Sequence, residues 1–163
     1  MHRCFLASFL LASSALLLPA IGAHAQWVPA GALAKVPVVR DCNETGGDVA
    51  VSRFDPPAVY LCPVLEREIR RKNPGAEHFY FVHEFGHVAL HTSDEAQADC
   101  WAARQLVHAR NGKRYLAAAL EHFRQRPDEV SPIYGRPVDR AERIRRCAQE
   151  EQGAAHEADA LAR

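Results

Sequence analysis

His83-Glu84-Phe85-Gly86-His87 spells His-Glu-x-x-His, and Glu95-Ala96-Gln97-Ala98-Asp99 follows after seven residues. On a helix, positions 83 and 87 are just over one turn apart, so both imidazoles leave one face, one above the other. That spacing lets two neutral ring nitrogens reach one metal ion, and Zn²⁺ is the usual occupant of such sites. Glu84 projects roughly 100° away from His83. There it can take a proton from a water activated at the ion without binding the ion itself. The rest of the chain is then what holds this helix and closes its site.

Outward from the motif, Phe79, Val82, Phe85 and Gly86 recur at spacings of three and four. They mark the buried stripe of a helix beginning near Ala76, after the Asn73-Pro74-Gly75 stop, and reaching about His91. Thr92 to Glu95 matches a Ser/Thr-x-x-Glu capping box. It starts a second helix from about Asp94 to Ala109, with Trp101, Ala102 and Leu106 facing the first, and Asn111-Gly112 breaks it. A third helix covers Lys113 to Gln125. A loop from Ser131 to Pro137 leads to a last helix with Ala141, Ile144 and Cys147 on one face. Upstream, Pro63 occupies the first turn of a basic amphipathic helix ending at Lys72, with Glu66 and Arg70 paired on its exposed side. Ala58-Val59-Tyr60-Leu61 reads as a strand and Val36 to Val39 as a shorter one, the rest of 26–56 being extended and loop structure. The elements predict a small α+β domain, mostly α with minor strand content, over residues 26–148. Residues 149–163 hold few apolar side chains and read as a disordered tail.

Twenty Lys and Arg balance twenty Asp and Glu over 163 residues. Such a chain has no electrostatic pull toward nucleic acid or an anionic membrane, which leaves peptides and small molecules as partners. His2 and Arg3 precede the apolar run Phe5 to Leu18, and Ala23-His24-Ala25 places small residues where a signal peptidase reads them. The pattern predicts a secretory signal peptide over 1–25, cleaved before Gln26, with no stable membrane insertion afterwards. As a retained span the run is short of about 20 residues, and Ser13, Ser14 and Pro19 interrupt it. Cys4 leaves with the leader. Export to the periplasm or beyond then puts Cys42, Cys62, Cys100 and Cys147 in an oxidising compartment, where an even count predicts two disulfides. Three connectivities are possible. Cys42–Cys62 with Cys100–Cys147 is favoured, because each bridge would staple a poorly anchored segment to the centre.

His83-Glu84-x-x-His87 with Glu95-x-x-Ala98-Asp99 resembles the zincin metallopeptidases, specifically the gluzincin branch, over roughly residues 76–107. The resemblance implies one zinc ion per chain, held by His83, His87 and Glu95. It also implies Glu84 as general base and Asp99 orienting a ligand histidine from behind. The spacing departs from the family, whose second motif lies much further on. Seven intervening residues force a tight helix hairpin. Were that hairpin strictly antiparallel about Thr92-Ser93, Asp99 would lie level with His87 and Glu95 nearer His91. Register therefore points to Asp99 as third metal ligand and the resemblance to Glu95, and both stay open. The capping box would instead turn Glu95 toward backbone.

His91 lies about 12 Å along the axis from His83, too far to share an ion, and reads as lining the cleft or ending the helix. His78, His108 and His122 read as solvent-exposed. Oxyanion stabilisation needs a donor from outside the metal helices, and Tyr134, in the loop before the last helix, is the residue placed to supply it. The expectation is an exported zinc metallopeptidase acting on a peptide or protein substrate. Two rivals remain: a non-catalytic zinc-binding envelope module with a closed four-ligand site, and a disulfide-stapled interaction protein without metal.

Overall fold

The structure, a computed structural model, describes residues 30–126 and 128–162. The expected signal peptide lies outside the described residues. A single helical turn, α1 (Ala30–Leu33), precedes β1 (Val38–Arg40) and a 3-10 turn over Cys42–Thr45. Two strands follow, β2 (Ala50–Phe54) and β3 (Pro57–Leu61), then helices α2 (Pro63–Lys72) and α3 (Glu77–Leu90). The remainder is α4 (Glu95–His108), α5 (Gly112–Arg124) and α6 (Pro137–Leu161). This is the mostly helical α+β domain that the sequence pattern predicts.

The strands form one sheet in the order β1-β3-β2. β3 is central, parallel to β1 with Val38 opposite Val59, and antiparallel to β2 with Ala50 opposite Leu61. Pro57 starts β3, where a proline removes no interior ladder bond. Ala58, Val59 and Leu61 are buried.

Helix α3 lies between two apolar layers. On one side Val88 and Ala89 pack with Val59, Leu61, Ala50 and Leu33, joining the helix to the sheet. On the other, Phe79 joins Ala102, Leu106, Leu116, Phe123 and Ile144 from α4, α5 and α6. A helix covered on both sides should be apolar around most of its circumference, and Phe-Tyr-Phe-Val at 79–82 with Val-Ala-Leu at 88–90 is. Polar side chains in such a helix are there at a desolvation cost, so His83, Glu84 and His87 call for partners. The turn into α5 requires glycine at 112, since a Cβ there would stand 1.5 Å from the Leu106 carbonyl oxygen.

Two disulfides are present, Cys42–Cys62 and Cys100–Cys147. The first ties the segment after β1 to the start of α2, and the second ties α4 to α6. No helix among the described residues is long and apolar enough to cross a membrane.

Several elements differ from expectation. α1 and β2 fall where loop was expected, and the short strand sits at 38–40. Glu66 is buried, paired across 26 residues with Arg40 and not exposed beside Arg70. The expected disordered tail is instead the continuation of α6 to Leu161. Its Ala, Glu and Gln are strong helix formers, and His108 on α4 reaches Glu151 at 2.9 Å.

Candidate metal centre

The site starts with how α3 ends. His91 takes a left-handed conformation (φ 49°, ψ 52°), one that His tolerates better than most residues. The next N–H, of Thr92, turns back to the His87 carbonyl at 3.1 Å. The reversal brings the Thr92 carbonyl oxygen to 2.8 Å from His87 Nδ1. A carbonyl only accepts, so His87 carries its proton on Nδ1 and presents a bare Nε2.

Asp94 caps α4, its carboxylate accepting from the N–H groups of Ala96 and Gln97 at 2.8 and 3.1 Å. Thr92 is not the cap, and Glu95 is left free of backbone duty. Its Oε2 lies 2.9 Å from His83 Nε2 and 3.3 Å from His87 Nε2. The two Nε2 atoms are themselves 3.0 Å apart.

Behind His83, Asp99 Oδ1 stands 2.9 Å from Nδ1, off the axis of an ideal N–H bond. Arg140 donates to the Asp99 carboxylate through Nε (3.0 and 3.2 Å) and Nη2 (2.8 Å). Arg143 Nη2 adds a further bond at 2.8 Å. Burial alone would raise the Asp99 carboxyl, but Arg140 and then His83 hold it well below the usual carboxylate range. An ionised Asp99 places the His83 proton on Nδ1 and leaves Nε2 bare.

Three lone-pair atoms therefore converge, two imidazole nitrogens and one carboxylate oxygen. Without a cation they repel. Two donors about 2.1 Å from one zinc ion at a tetrahedral angle lie roughly 3.4 Å apart. The separations here, 2.9 to 3.3 Å, are hydrogen-bond distances, and a spread of a few tenths of an ångström would open them to one small cation. The same surroundings favour a protonated His83. Burial pushes the His83 imidazole down, but Asp99 and Glu95 outweigh it and leave its pKa raised. Glu95 is the mirror image: burial pushes it up, and the two imidazoles pull it down to about 2.

No family model, curated protein or solved structure matches this chain.

Asp99, which the register pointed to as a third metal ligand, stands at the rear of His83, on Nδ1 and away from the paired Nε2 atoms. Both its oxygens are taken by arginines and by the rear of His83. Glu95 and Asp99, one turn apart on α4, both meet His83, whereas a strictly antiparallel hairpin about Thr92-Ser93 would set them near His91 and His87. The helices cross at Gly86, where a Cβ would stand 3.0 Å from the Ala98 carbonyl oxygen.

Glu84 is also buried, and a carboxylate oxygen lies within 4.8 Å of a ring nitrogen of His83 and of His87, so these three side chains also form a group that could hold a metal ion. Burial raises its pKa, and the two histidines and Ser52 only partly oppose that. Tyr134 reaches the same place from the loop between α5 and α6, its ring 6.3 Å from that of His83. Burial, followed by the charge of Glu95, pushes its phenol well above the usual range, so it keeps its proton. A groove of about 1030 Å³ has its wall at His83, Glu84 and Tyr134 and extends past Ala50, Leu65 and Ile69.

His91 packs its ring on Phe54 at 4.8 Å, away from the three converging atoms. His122 is buried and not exposed, with Asn73 Oδ1 at 3.0 Å and the Tyr80 hydroxyl at 3.1 Å. Arg140 and Arg143 are absent from the sequence reading. A signal existed: Arg140 shares the i, i+4, i+7 stripe of Ile144 and Cys147, and an arginine on a buried stripe implies a buried acid.

Proposed function

We propose that this chain is an exported zinc metallopeptidase, with His83, His87 and Glu95 holding the ion and Glu84 as general base. The observation that carries this is the convergence of the Glu95 carboxylate oxygen with two imidazole Nε2 atoms whose Nδ1 atoms face acceptors, Asp99 and the Thr92 carbonyl. Zinc, when bound, supplies a Lewis acid that activates water near neutral pH and polarises a carbonyl. The raised Glu84 carboxyl, beside the ligands but not needed as one, takes a proton and passes it to the leaving amine. Tyr134, holding its proton, donates to the carbonyl oxygen as negative charge gathers there.

The groove supports catalysis over a closed structural site. His83 and Glu84 form part of its wall, and its volume of about 1030 Å³ is that of sites that hold a small ligand. Two disulfides and the leader pattern at 1–25 support export.

The test is cleavage of a peptide library, followed by mass spectrometry, with wild type and Glu84→Gln. Wild type should cleave in a zinc-dependent manner. Glu84→Gln should retain zinc and lose at least a hundredfold in rate. Undiminished cleavage by that variant would remove Glu84 from the mechanism.

A further inference from the structure

Arg140 is buried, and a buried guanidinium persists only when fully paired. Its edge is committed to Asp99 through contacts of 2.8 to 3.2 Å. Its face is committed elsewhere, with Cζ 4.2 Å from the centre of the Tyr134 ring and 4.6 Å from that of Phe123. Tyr134 needs such an anchor. The backbone bonds between Ser131 and Gly135 close on the loop itself, as does the bond from Tyr134 N to Ser131 Oγ. Side-chain contacts therefore set where the phenol stands. Arg143, by contrast, bonds Asp99 from the same helix without a contact to the Tyr134 ring.

On the footing of the metal site described above, we propose that Arg140 is a positioning residue that joins the two halves of the active centre. Its edge orients Asp99 and through it the zinc-facing nitrogen of His83. Its face fixes Tyr134 and the 128–135 loop. Ligand geometry and donor position thus depend on one planar group, and whatever shifts one shifts the other. Lysine cannot replace it, because an ammonium has neither the fork for a carboxylate nor the plane for a ring.

The test pairs zinc affinity, by competition with a chromophoric chelator, with amide exchange of residues 128–135. Arg140→Lys should bind zinc about ten- to a hundredfold more weakly and exchange faster over that loop. Arg143→Gln should weaken zinc binding and leave loop exchange unchanged. Wild-type affinity and wild-type loop exchange in Arg140→Lys would overturn the proposal, as would equal loosening of the loop by Arg143→Gln. If Arg140→Lys fails to fold, Asp99→Asn keeps the shape of the carboxylate and should still speed loop exchange; no change there overturns the proposal too. Failure of the wild type to bind zinc would instead sink the metal reading itself.

Discussion

Gly86 and Ala98 mark the crossing of α3 and α4: a Cβ at 86 would stand 3.0 Å from the Ala98 carbonyl oxygen and 3.1 Å from its Cα. Both are backbone atoms and cannot swing aside. Gly86→Ala gains about 1 kcal/mol in helix propensity, while overpacking against α4 costs about 1–3 kcal/mol. The expected result is a net loss on the order of 1 kcal/mol in urea denaturation. A larger consequence follows for the site, because pushing α4 outward moves Glu95 from both histidines. Zinc affinity should drop at least tenfold although every ligand is intact. Unchanged affinity would mean that the crossing distance does not set the site.

The start of α4 offers a second test. Asp94 accepts from two backbone N–H groups, whereas Thr92 Oγ1 accepts only the exposed N–H of Asp94 at 3.1 Å. Asp94→Ala should therefore lose about 1 kcal/mol, and Thr92→Ala distinctly less. The reverse order would restore Thr92 as the cap and return Glu95 to a capping box.

His122 makes stability depend on pH. Burial, with Arg126 and Lys72 adding to it, holds the imidazole down to about 4. An unfolded histidine titrates near 6.5, so between those values the unfolded chain takes up a proton that the folded chain refuses. The contribution is fully present above about pH 6.5 and is lost as pH falls toward 4, with a limiting slope of about 1.4 kcal/mol per pH unit. Melting temperatures of wild type and His122→Gln should therefore converge or cross as pH falls through this window. Parallel curves would show that His122 titrates normally.

Much of this architecture is legible in the residue pattern. Pro63, the Asn73-Pro74-Gly75 stop, Asn111-Gly112 and Pro137 are local signals, and each lies within a residue or two of a helix end. The elements that were not legible depend on distant partners. β2 is fixed by pairing with β3 and packing on α3, and its Arg53 and Ser52 carry no strong strand propensity of their own. His122 is buried by Asn73, 49 residues away, and Asp99 is clamped by arginines 41 and 44 residues on. In the site, the spacing of His83, Glu84 and His87 could be read from one helix. Which of Glu95 and Asp99 faces the two Nε2 atoms could not, because it depends on how two helices cross.

The most direct test is zinc content of the purified mature chain, measured beside Glu84→Gln and His87→Ala. One zinc per chain in wild type and in Glu84→Gln, with none in His87→Ala, is the predicted result. A folded wild type that takes up no zinc, even when the metal is supplied, would contradict it and leave the converging side chains to a proton alone.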